Sequence, residues 1–276
     1  MTDPATAPAA APARGMDRGA RWSALLALLA EHGRLTVAQI VEALGVSEAT
    51  VRRDFGELAA QQLVTRTHGG VVATAVAYDL PARYKSATGD SPKERVAAAA
   101  ADLAVEGSVV GFNGGTTTSA TARRLAARSD LATSSERPAI TVVTNALNIA
   151  TEMVLRPFIR CVSLGGVARP ESYELSGPLA SMVLSELWLD TVYLGVDGVS
   201  AAGGATCRHE GEAGINALMV QRADRVVVVA TGEKVGHRAF ARICPAPAID
   251  VLVTDATAPT AAIEELRSVG VDVHVV

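Results

Sequence analysis

The sequence predicts an α/β protein in which a small helical domain precedes a larger domain built on a mainly parallel sheet. Helical periodicity dominates the start of the chain, whereas the remainder alternates short Val-rich runs with helical stretches. At 276 residues, the chain also exceeds the usual size of one domain. We expect four segments, which are a disordered tail at 1–16, a three-helix domain with a hairpin at 17–72, a linker at 73–92 and the sheet domain at 93–276.

Composition excludes few functions. Lys and Arg number 25 and Asp and Glu 29, a formal net charge of −4 that gives no sign of a nucleic-acid or membrane partner, although a local patch would suffice. Three widely spaced cysteines suit a reducing compartment and disfavour a disulfide scaffold. The apolar run Ala24–Ala30 is too short to span a bilayer. We therefore expect a cytoplasmic protein with no membrane association.

Three helices are predicted in the first domain. Trp22, Leu25 and Leu29 share one helical face, and this first helix should end near Gly33. A second helix lies between Thr36, which begins a T-x-x-Q capping box, and a terminating glycine. A third helix follows at once, with a serine as its N-cap. Two helices joined by a short glycine-containing turn are typical of a helix-turn-helix.

The third helix and the following hairpin carry the residues that we expect to contact double-stranded DNA. Two adjacent arginines lie off the apolar face, and the small residues before them would allow close approach to the major groove. The segment QLVTRTHGGVV predicts a hairpin, or wing, with basic residues near its tip. The predicted DNA-binding residues are Ser47, Ala49, Thr50, Arg52, Arg53, Arg66 and His68.

An ordinary solvated helix would explain the paired arginines too, and three short helices could form a simple bundle. Residues 1–72 hold seven arginines and seven acidic residues, so the basic surplus typical of DNA-binding domains is absent. Asp54 would orient Arg52 or Arg53, or simply moderate the local charge. These residues alone leave both interpretations open.

Seven apolar runs predict the strands of the larger domain. Helical stretches such as 117–128, 177–187 and 212–223 separate them. Nearly continuous Val-rich strands with helical crossovers favour a mainly parallel sheet covered on both faces. The runs are SVVGFN, AITVVT, IRCVSL, TVYLGV, RVVVVAT, DVLVTD and VDVHVV.

Ligand-binding residues are expected after these strands, because such sheets bind ligands beyond their carboxyl ends. Glycines and hydroxyls at a strand-to-helix transition favour an anion, although a capped helix start would explain them as well. With acids and a lysine at the same edge, we expect a phosphorylated sugar or polyol. The predicted effector-binding residues are Asn113, Gly114, Gly115, Thr116, Thr117, Thr118, Asn145, Gly165, Gly166, Asp197, Gly198, Glu212 and Lys234.

The segment CRHEGE contains Cys207, His209 and Glu210, which are residue types that can bind a metal ion. The spacing of these residues matches no good ligand set. We therefore expect neither a metal nor a cofactor.

The segment Gly33–Gly70 resembles the N-terminal signature of the DeoR family of bacterial transcription regulators. The patterns S-x-x-T-[VI]-R-R-D-x-x-x-L and R-x-H-G-G recur in that family and are present here. Gly56 departs from the helix-forming residue usual at its position. The resemblance places Ser47, Thr50, Arg52, Arg53 and Asp54 on a recognition helix, and Arg66, His68 and Gly69 in the wing.

Stretches from NGGTTTSA to VLVTD resemble the sensor domain of the same family, which is similar in fold to ribose-5-phosphate isomerase and glucosamine-6-phosphate deaminase. The resemblance implies a sugar-phosphate effector, with the phosphate on the Gly114–Thr118 loop and Asp197 and Lys234 nearby. It also implies a homo-oligomer, either a dimer or a tetramer. Asn113 stands where the family usually has an aspartate.

We therefore expect a DNA-binding transcription regulator, specifically a repressor of a carbohydrate catabolic operon controlled by a phosphorylated sugar or polyol. The alternative is an isomerase or deaminase-like enzyme, with Asp197 or Glu212 as general base and Lys234 steadying the charged intermediate. A sensor that consumed its own signal would blur it, so the fused DNA-binding domain favours the regulator. A DNA-architectural protein would leave the sheet-edge loops unexplained.

Overall fold

The computed structural model describes residues 17–32, 34–60, 64–67, 69–73, 91–135 and 137–276. The chain divides into two compact units, Met1–Ala87 and Thr88–Val276. The tail expected at 1–16 and nearly all of the linker expected at 73–92 lie outside the described residues, so the predicted domain boundaries stay predictions.

The first unit combines helices with a small antiparallel sheet. Strand β3 lies between β1 and β2, and β2 with β3 forms the predicted hairpin. Strand β1 was not predicted, because three residues are too few to show a period. The elements are α1 (Arg18–His32), β1 (Arg34–Thr36), α2 (Val37–Leu44), α3 (Glu48–Ala60), β2 (Val64–Thr67) and β3 (Gly70–Ala73).

Local signals place the ends of α2. The backbone N–H of Thr36 donates to the Gln39 side chain at 2.8 Å, and the Thr36 hydroxyl accepts from the backbone N–H of Gln39 at 3.3 Å, which confirms the capping box. Gly45, with φ 63°, ends the helix in the left-handed conformation that favours glycine. The apolar faces of all three helices meet in one core that includes Leu25, Ile40 and Phe55.

The second unit contains the large sheet and the helices that pack against it. In chain order its strands are β4 (Val109–Phe112), β5 (Ile140–Thr144), β6 (Ile159–Ser163), β7 (Val167–Ala168), β8 (Leu175–Ser176), β9 (Thr191–Gly195), β10 (Gly198–Ser200), β11 (Gly204–Cys207), β12 (Val226–Val229), β13 (Ala241–Cys244), β14 (Val251–Thr254) and β15 (Asp272–Val275). Its helices are α4 (Pro92–Ala101), α5 (Thr116–Ala126), α6 (Ser129–Thr133), α7 (Leu147–Met153), α8 (Pro178–Ser185), α9 (Glu210–Gln221) and α10 (Thr260–Ser268).

The seven predicted strands form one fully parallel sheet in the order β15-β14-β12-β9-β4-β5-β6. This confirms the mainly parallel α/β class. The first strand, β4, lies between β5 and β9, so the direction of chain progression reverses there. Such a switch point opens a crevice at the carboxyl ends of the two central strands.

Neighbouring residues on one strand pack on opposite faces of the sheet. Val142 of β5 joins a core with Phe112 and helices α4, α5 and α7, whereas Val143 joins a second core with α8 and α9. A third core packs α10 against β12 and β14. Burial on both faces explains why these strands appear in the sequence as continuous apolar runs.

Two small antiparallel sheets were not predicted. Strands β7 and β8 form a hairpin after β6, and β10, β11 and β13 form a three-stranded sheet. Their strands are only two to four residues long, which is too short for a clear period. The β7–β8 hairpin carries side chains into the candidate effector site.

None of the helices in the described part of the chain has both the length and the hydropathy needed to cross a membrane.

Candidate DNA-binding surface and effector site

The predicted recognition residues lie in the first turns of α3. The Ser47 hydroxyl accepts from the backbone N–H of Thr50 at 3.2 Å, which makes it the helix cap. Ala49, Arg52 and Arg53 are exposed. Arg52 lies 3.3 Å from the carboxylate of Glu48, but both side chains are mostly exposed and such a pair is weak. Both arginines are therefore accessible to a phosphate or a base edge.

Asp54 does not orient Arg52 or Arg53, which corrects the sequence-based expectation. Its buried carboxylate accepts two hydrogen bonds from Arg21, at 2.6 and 2.9 Å, and a third from the Trp22 indole at 2.9 Å. Burial alone would raise the pKa of Asp54, but these hydrogen bonds outweigh it and hold the pKa below its usual value. Asp54 thus fixes α3 against α1 and leaves the two arginines outside.

The wing lies next in the chain. Arg66 is exposed on β2, and Gly69 adopts φ 86° in the turn before β3. His68 lies outside the described residues, so its role stays a prediction. Arg34, on β1 and opposite Val72 of β3, is also exposed.

The Gly114–Thr118 loop leads from the central strand β4 into α5. Gly115 adopts φ 128°, which an L side chain rarely tolerates, and it is exposed at the start of the helix. The first N–H groups of a helix lack partners within it and carry a partial positive charge. Thr116 is partly exposed beside them. This end of α5 can therefore bind an anion.

Thr117 and Thr118 are buried, which changes their expected roles. The Thr118 hydroxyl donates to the backbone oxygen of Gly115 at 2.9 Å, so it shapes the loop. The Thr117 backbone oxygen accepts from the Thr121 hydroxyl at 2.9 Å. Thr116 is therefore the threonine of this loop whose side chain is best placed to reach a ligand.

Asn113 joins the two central strands. Its Nδ2 donates to the Gly195 oxygen at 2.9 Å, and its Oδ1 accepts from the Gly195 N–H at 2.7 Å. Gly195 also lies close to the loop, because a Cβ added there would be 3.1 Å from the Gly114 oxygen. The amide of Asn113 is thus already engaged, and its role toward an effector stays a prediction.

Lys234 and Asp197 lie at the carboxyl end of β9. Lys234 Nζ donates to the Val196 oxygen at 2.8 Å. Burial lowers the pKa of Lys234, and the negative charge of Asp197 acts in the opposite direction. Asp197 accepts from the backbone N–H of Arg208 at 3.0 Å. The structure therefore brings the predicted acid and cation to the same strand end.

Asp255 supports this arrangement and was not predicted. It follows β14, is fully buried and accepts from the backbone N–H of Gly232 at 2.8 Å. It thereby anchors the turn that carries Lys234. Asp255 directly follows the last residue of β14, so the expectation that functional residues follow the strands would include it.

A buried polar cluster lies beside the loop, and sequence reasoning missed its central member, Glu174. Glu174 Oε2 accepts from Asn145 Nδ2 at 3.1 Å and from Asn216 Nδ2 at 3.4 Å. Burial, with a smaller contribution from Glu212, raises the pKa of Glu174 to about 7. Asn145 is thus hydrogen-bonded to Glu174 in this cluster, and its role toward an effector stays a prediction. No sequence signal marked this residue, because the segment around it lacks periodicity.

Glu212 is held by the β7–β8 hairpin. Its Oε1 accepts from Arg169 Nη1 at 2.9 Å and from the Ser172 hydroxyl at 2.5 Å. Glu212 is buried on α9. The carboxylate is thus already paired within the protein, and its role toward an effector stays a prediction.

Three predicted glycines have different environments. A Cβ on Gly166 would lie 2.5 Å from the Ser176 oxygen, and one on Gly198 would lie 2.7 Å from the His237 oxygen. Both glycines therefore permit close backbone contacts, and their roles toward an effector stay predictions. Gly165 is exposed and has open space around its Cα.

Within the described residues, no group of three or more His, Cys, Asp and Glu side chains could hold a metal ion.

Two protein-family models match this chain. The DeoR-like helix-turn-helix domain matches residues 21–75, and the DeoR C terminal sensor domain matches residues 90–256. The HTH-type transcriptional regulator GlpR of Haloferax volcanii is 30% identical, covering 90% of this chain and 94% of that protein. The glycerol-3-phosphate regulon repressor of Escherichia coli K12 is 28% identical, covering 91% and 96%.

Among solved structures, ribose 5-phosphate isomerase A of Methanocaldococcus jannaschii is 18% identical, with a TM-score of 0.37 over 53% of this chain and 55% of that one. The sensor-domain match spans more than half of the chain, and the Haloferax relative covers nine tenths of it. This protein therefore belongs to the DeoR family of transcriptional regulators.

Proposed function

We propose that this protein is a repressor of a carbohydrate catabolic operon and that a phosphorylated sugar or polyol controls its binding to DNA. The observation that carries the proposal is the Gly114–Thr118 loop, which lies at the switch point of the parallel sheet. The Escherichia coli relative is a glycerol-3-phosphate regulon repressor, which supports repression and a phosphorylated effector. We further propose that residues 17–72 bind DNA and residues 93–276 bind the effector.

The chemistry of the site fits such an effector. The N–H groups at the start of α5 and the Thr116 hydroxyl would bind the phosphate. Lys234 would add a positive charge, and Asp197 would accept hydrogen bonds from sugar hydroxyls. An acid, a cation and free N–H groups at one sheet edge suit a ligand that is anionic at one end and rich in hydroxyls at the other.

The DNA-binding surface fits a duplex. Arg52 and Arg53 project from the start of α3, where a recognition helix meets the major groove. Arg66 on the wing would contact the backbone. Arginine contacts to phosphates position the protein, whereas contacts to bases give sequence specificity.

An exposed apolar surface supports a homo-oligomer. Leu179 and Met182 on α8 are 62% and 65% exposed, and nearby in the chain Trp188 is 68% exposed. Apolar side chains grouped in this way are typical of protein interfaces. We propose that a second copy of this chain covers them, so that two recognition helices meet repeated half-sites on DNA.

The proposed mechanism couples the two functions through these copies. Effector binding would favour an arrangement in which the recognition helices no longer match the spacing of the half-sites. Coupling of this kind requires different effector affinities in the two arrangements.

The test is to incubate the purified protein with fragmented DNA from its source organism and to sequence the retained fragments. We expect a few enriched sites with a shared repeat, and we expect a panel of sugar phosphates added singly to identify a compound that changes their retention. Absence of enrichment in every condition would contradict the repressor function. Enrichment that no phosphorylated compound changes would contradict the effector class alone.

A further inference from the structure

The carboxyl group of Glu174 packs directly against the Gly114–Thr118 loop. A Cβ added to Gly114 would lie 2.4 Å from Glu174 Cγ and 2.7 Å from Oε1. The backbone of Gly114 is hydrogen-bonded to the same carboxyl. An N–H group of the proposed phosphate loop is therefore bound to an anion that belongs to the protein itself.

Two buried asparagine side chains contact the carboxyl group of Glu174. Asn145 and Asn216 both turn Nδ2 toward Oε2 of Glu174. Within the described structure, Oδ1 of each amide is buried without a hydrogen-bond partner. A proton on Glu174 would give this cluster a further hydrogen-bond donor. If one amide rotated so that its oxygen and nitrogen exchanged places, that oxygen could accept a hydrogen bond from the protonated carboxyl.

The negative charge of Glu212 also favours the protonated form of Glu174. Glu212, on α9, is the negative neighbour that raises the pKa of Glu174 beyond the effect of burial. Arg169, on the β7–β8 hairpin, is paired with Glu212 and with Glu171. Asn145 and Asn216, from the segments after β5 and on α9, are neutral. The resulting pKa of about 7 means that Glu174 changes charge near neutral pH.

We propose that Glu174 is an internal competitor of the effector's phosphate, whose carboxylate must take up a proton from solvent before a dianion can bind tightly to the Gly114–Thr118 loop. This inference rests on the proposed effector site and adds a residue that determines its affinity and specificity. A ligand that brings a hydroxyl or ammonium donor to Glu174 would reduce the repulsion between the carboxylate and the ligand's phosphate. The site therefore selects phosphorylated ligands that carry such donors near the phosphate.

The proposal predicts the pH dependence of anion binding. Above the pKa of Glu174, affinity for a dianion falls as the pH rises, by about tenfold between about pH 6 and about pH 8. Glu174→Gln keeps the shape of the side chain but cannot ionise. The variant should bind with the same affinity at both pH values and more tightly than the parent at the higher one.

Inorganic sulfate is the probe, because it stays dianionic over this range whereas phosphate changes charge. Binding to the full chain is measured by isothermal calorimetry for the parent, for Glu174→Gln and for the control Glu265→Gln, an exposed carboxylate on α10. We expect the control to match the parent. Calorimetry of the parent in two buffers of different ionisation enthalpy should also show uptake of about half a proton per sulfate near pH 7.

Retention of the parent's pH dependence by Glu174→Gln would overturn the proposal, and so would zero proton uptake by the parent. The measurement of proton uptake uses only the parent protein, so it tests the proposal even if Glu174→Gln folds poorly. Thr116→Val distinguishes failure of the proposed anion site from failure of the proposed role of Glu174. If it weakens sulfate binding while Glu174→Gln matches the parent, the loop is an anion site and only the role of Glu174 is wrong. If no protein binds sulfate, the proposed loop and the proposed role of Glu174 both fail.

Discussion

Asn113 and Gly195 exchange two hydrogen bonds across the central strands of the sheet. The amide nitrogen donates to the Gly195 oxygen at 2.9 Å, and the amide oxygen accepts from the Gly195 N–H at 2.7 Å. The side chain thus continues the pairing of β4 with β9 at the point where the Gly114–Thr118 loop begins. An ionised aspartate, the residue usual in the family, can accept but cannot donate.

Asn113→Asp should destabilise the second unit by about 1 to 3 kcal/mol at neutral pH, because a buried carboxylate would face the Gly195 oxygen. Urea unfolding measures the change. The loss should shrink as the pH falls, since a protonated carboxyl can again donate. Equal stability of parent and variant at neutral pH would show that the paired hydrogen bonds contribute nothing.

Asp54→Asn should destabilise the first unit by about 1 to 3 kcal/mol, because it removes the charge of the buried carboxylate that accepts two hydrogen bonds from Arg21. The folded-state pKa of Asp54 lies below its unfolded value, so the stabilisation is present above the unfolded pKa and is lost as the pH falls through the folded one. Thermal unfolding followed by circular dichroism tests this. Glu48→Gln, which removes only an exposed pair, is the control and should change stability little. A loss no greater than that of the control would contradict the prediction.

Arg52→Ala should weaken operator binding by about 1 to 3 kcal/mol if the guanidinium contacts a base, while effector binding stays unchanged. Fluorescence anisotropy with an enriched DNA fragment measures the affinity. Arg267→Ala, on helix α10 of the second unit, is the control with the same loss of charge. Identical affinities for both variants would remove Arg52 from the DNA interface.

Thr116→Val should weaken effector binding and leave DNA binding without effector unchanged, because the side chain lies at the exposed start of α5. Thr118→Val should instead reduce stability by about 1 kcal/mol, since it removes the hydrogen bond to the Gly115 oxygen. Calorimetry with the identified sugar phosphate and urea unfolding distinguish the two effects. The assignment is wrong if Thr116→Val lowers stability and leaves effector binding intact.

Gly56→Ala should stabilise the first unit by about 0.5 to 1 kcal/mol, because alanine is the better helix former. Gly56 lies within α3, and a Cβ added there would meet no atom within 4 Å. A rise in the melting temperature measures the gain. Gly70→Ala is the contrasting variant, because its Cβ would lie 2.2 Å from the Leu35 oxygen and should destabilise the wing. A lower melting temperature for Gly56→Ala would contradict the prediction.

The seven main strands could be predicted because burial on both faces leaves a continuous apolar run in each. Local capping signals likewise placed both ends of α2. The β7–β8 hairpin escaped prediction because its strands are too short to show a period, and Glu174 was missed with it. The partner of Asp54 was missed for another reason, since Arg21 lies 33 residues away in the chain.

Periodicity and residues close together in the chain were enough to identify the class of fold and the helix-turn-helix, and to predict the edge of the sheet at which an effector would bind. They could not show which polar groups are already engaged within the folded protein. Asn113 is bound to Gly195, Glu212 to Arg169 and Gly114 to Glu174. The physical reason is that a hydrogen bond depends on atoms within about 3 Å of each other, and folding alone brings residues so distant in sequence to that separation.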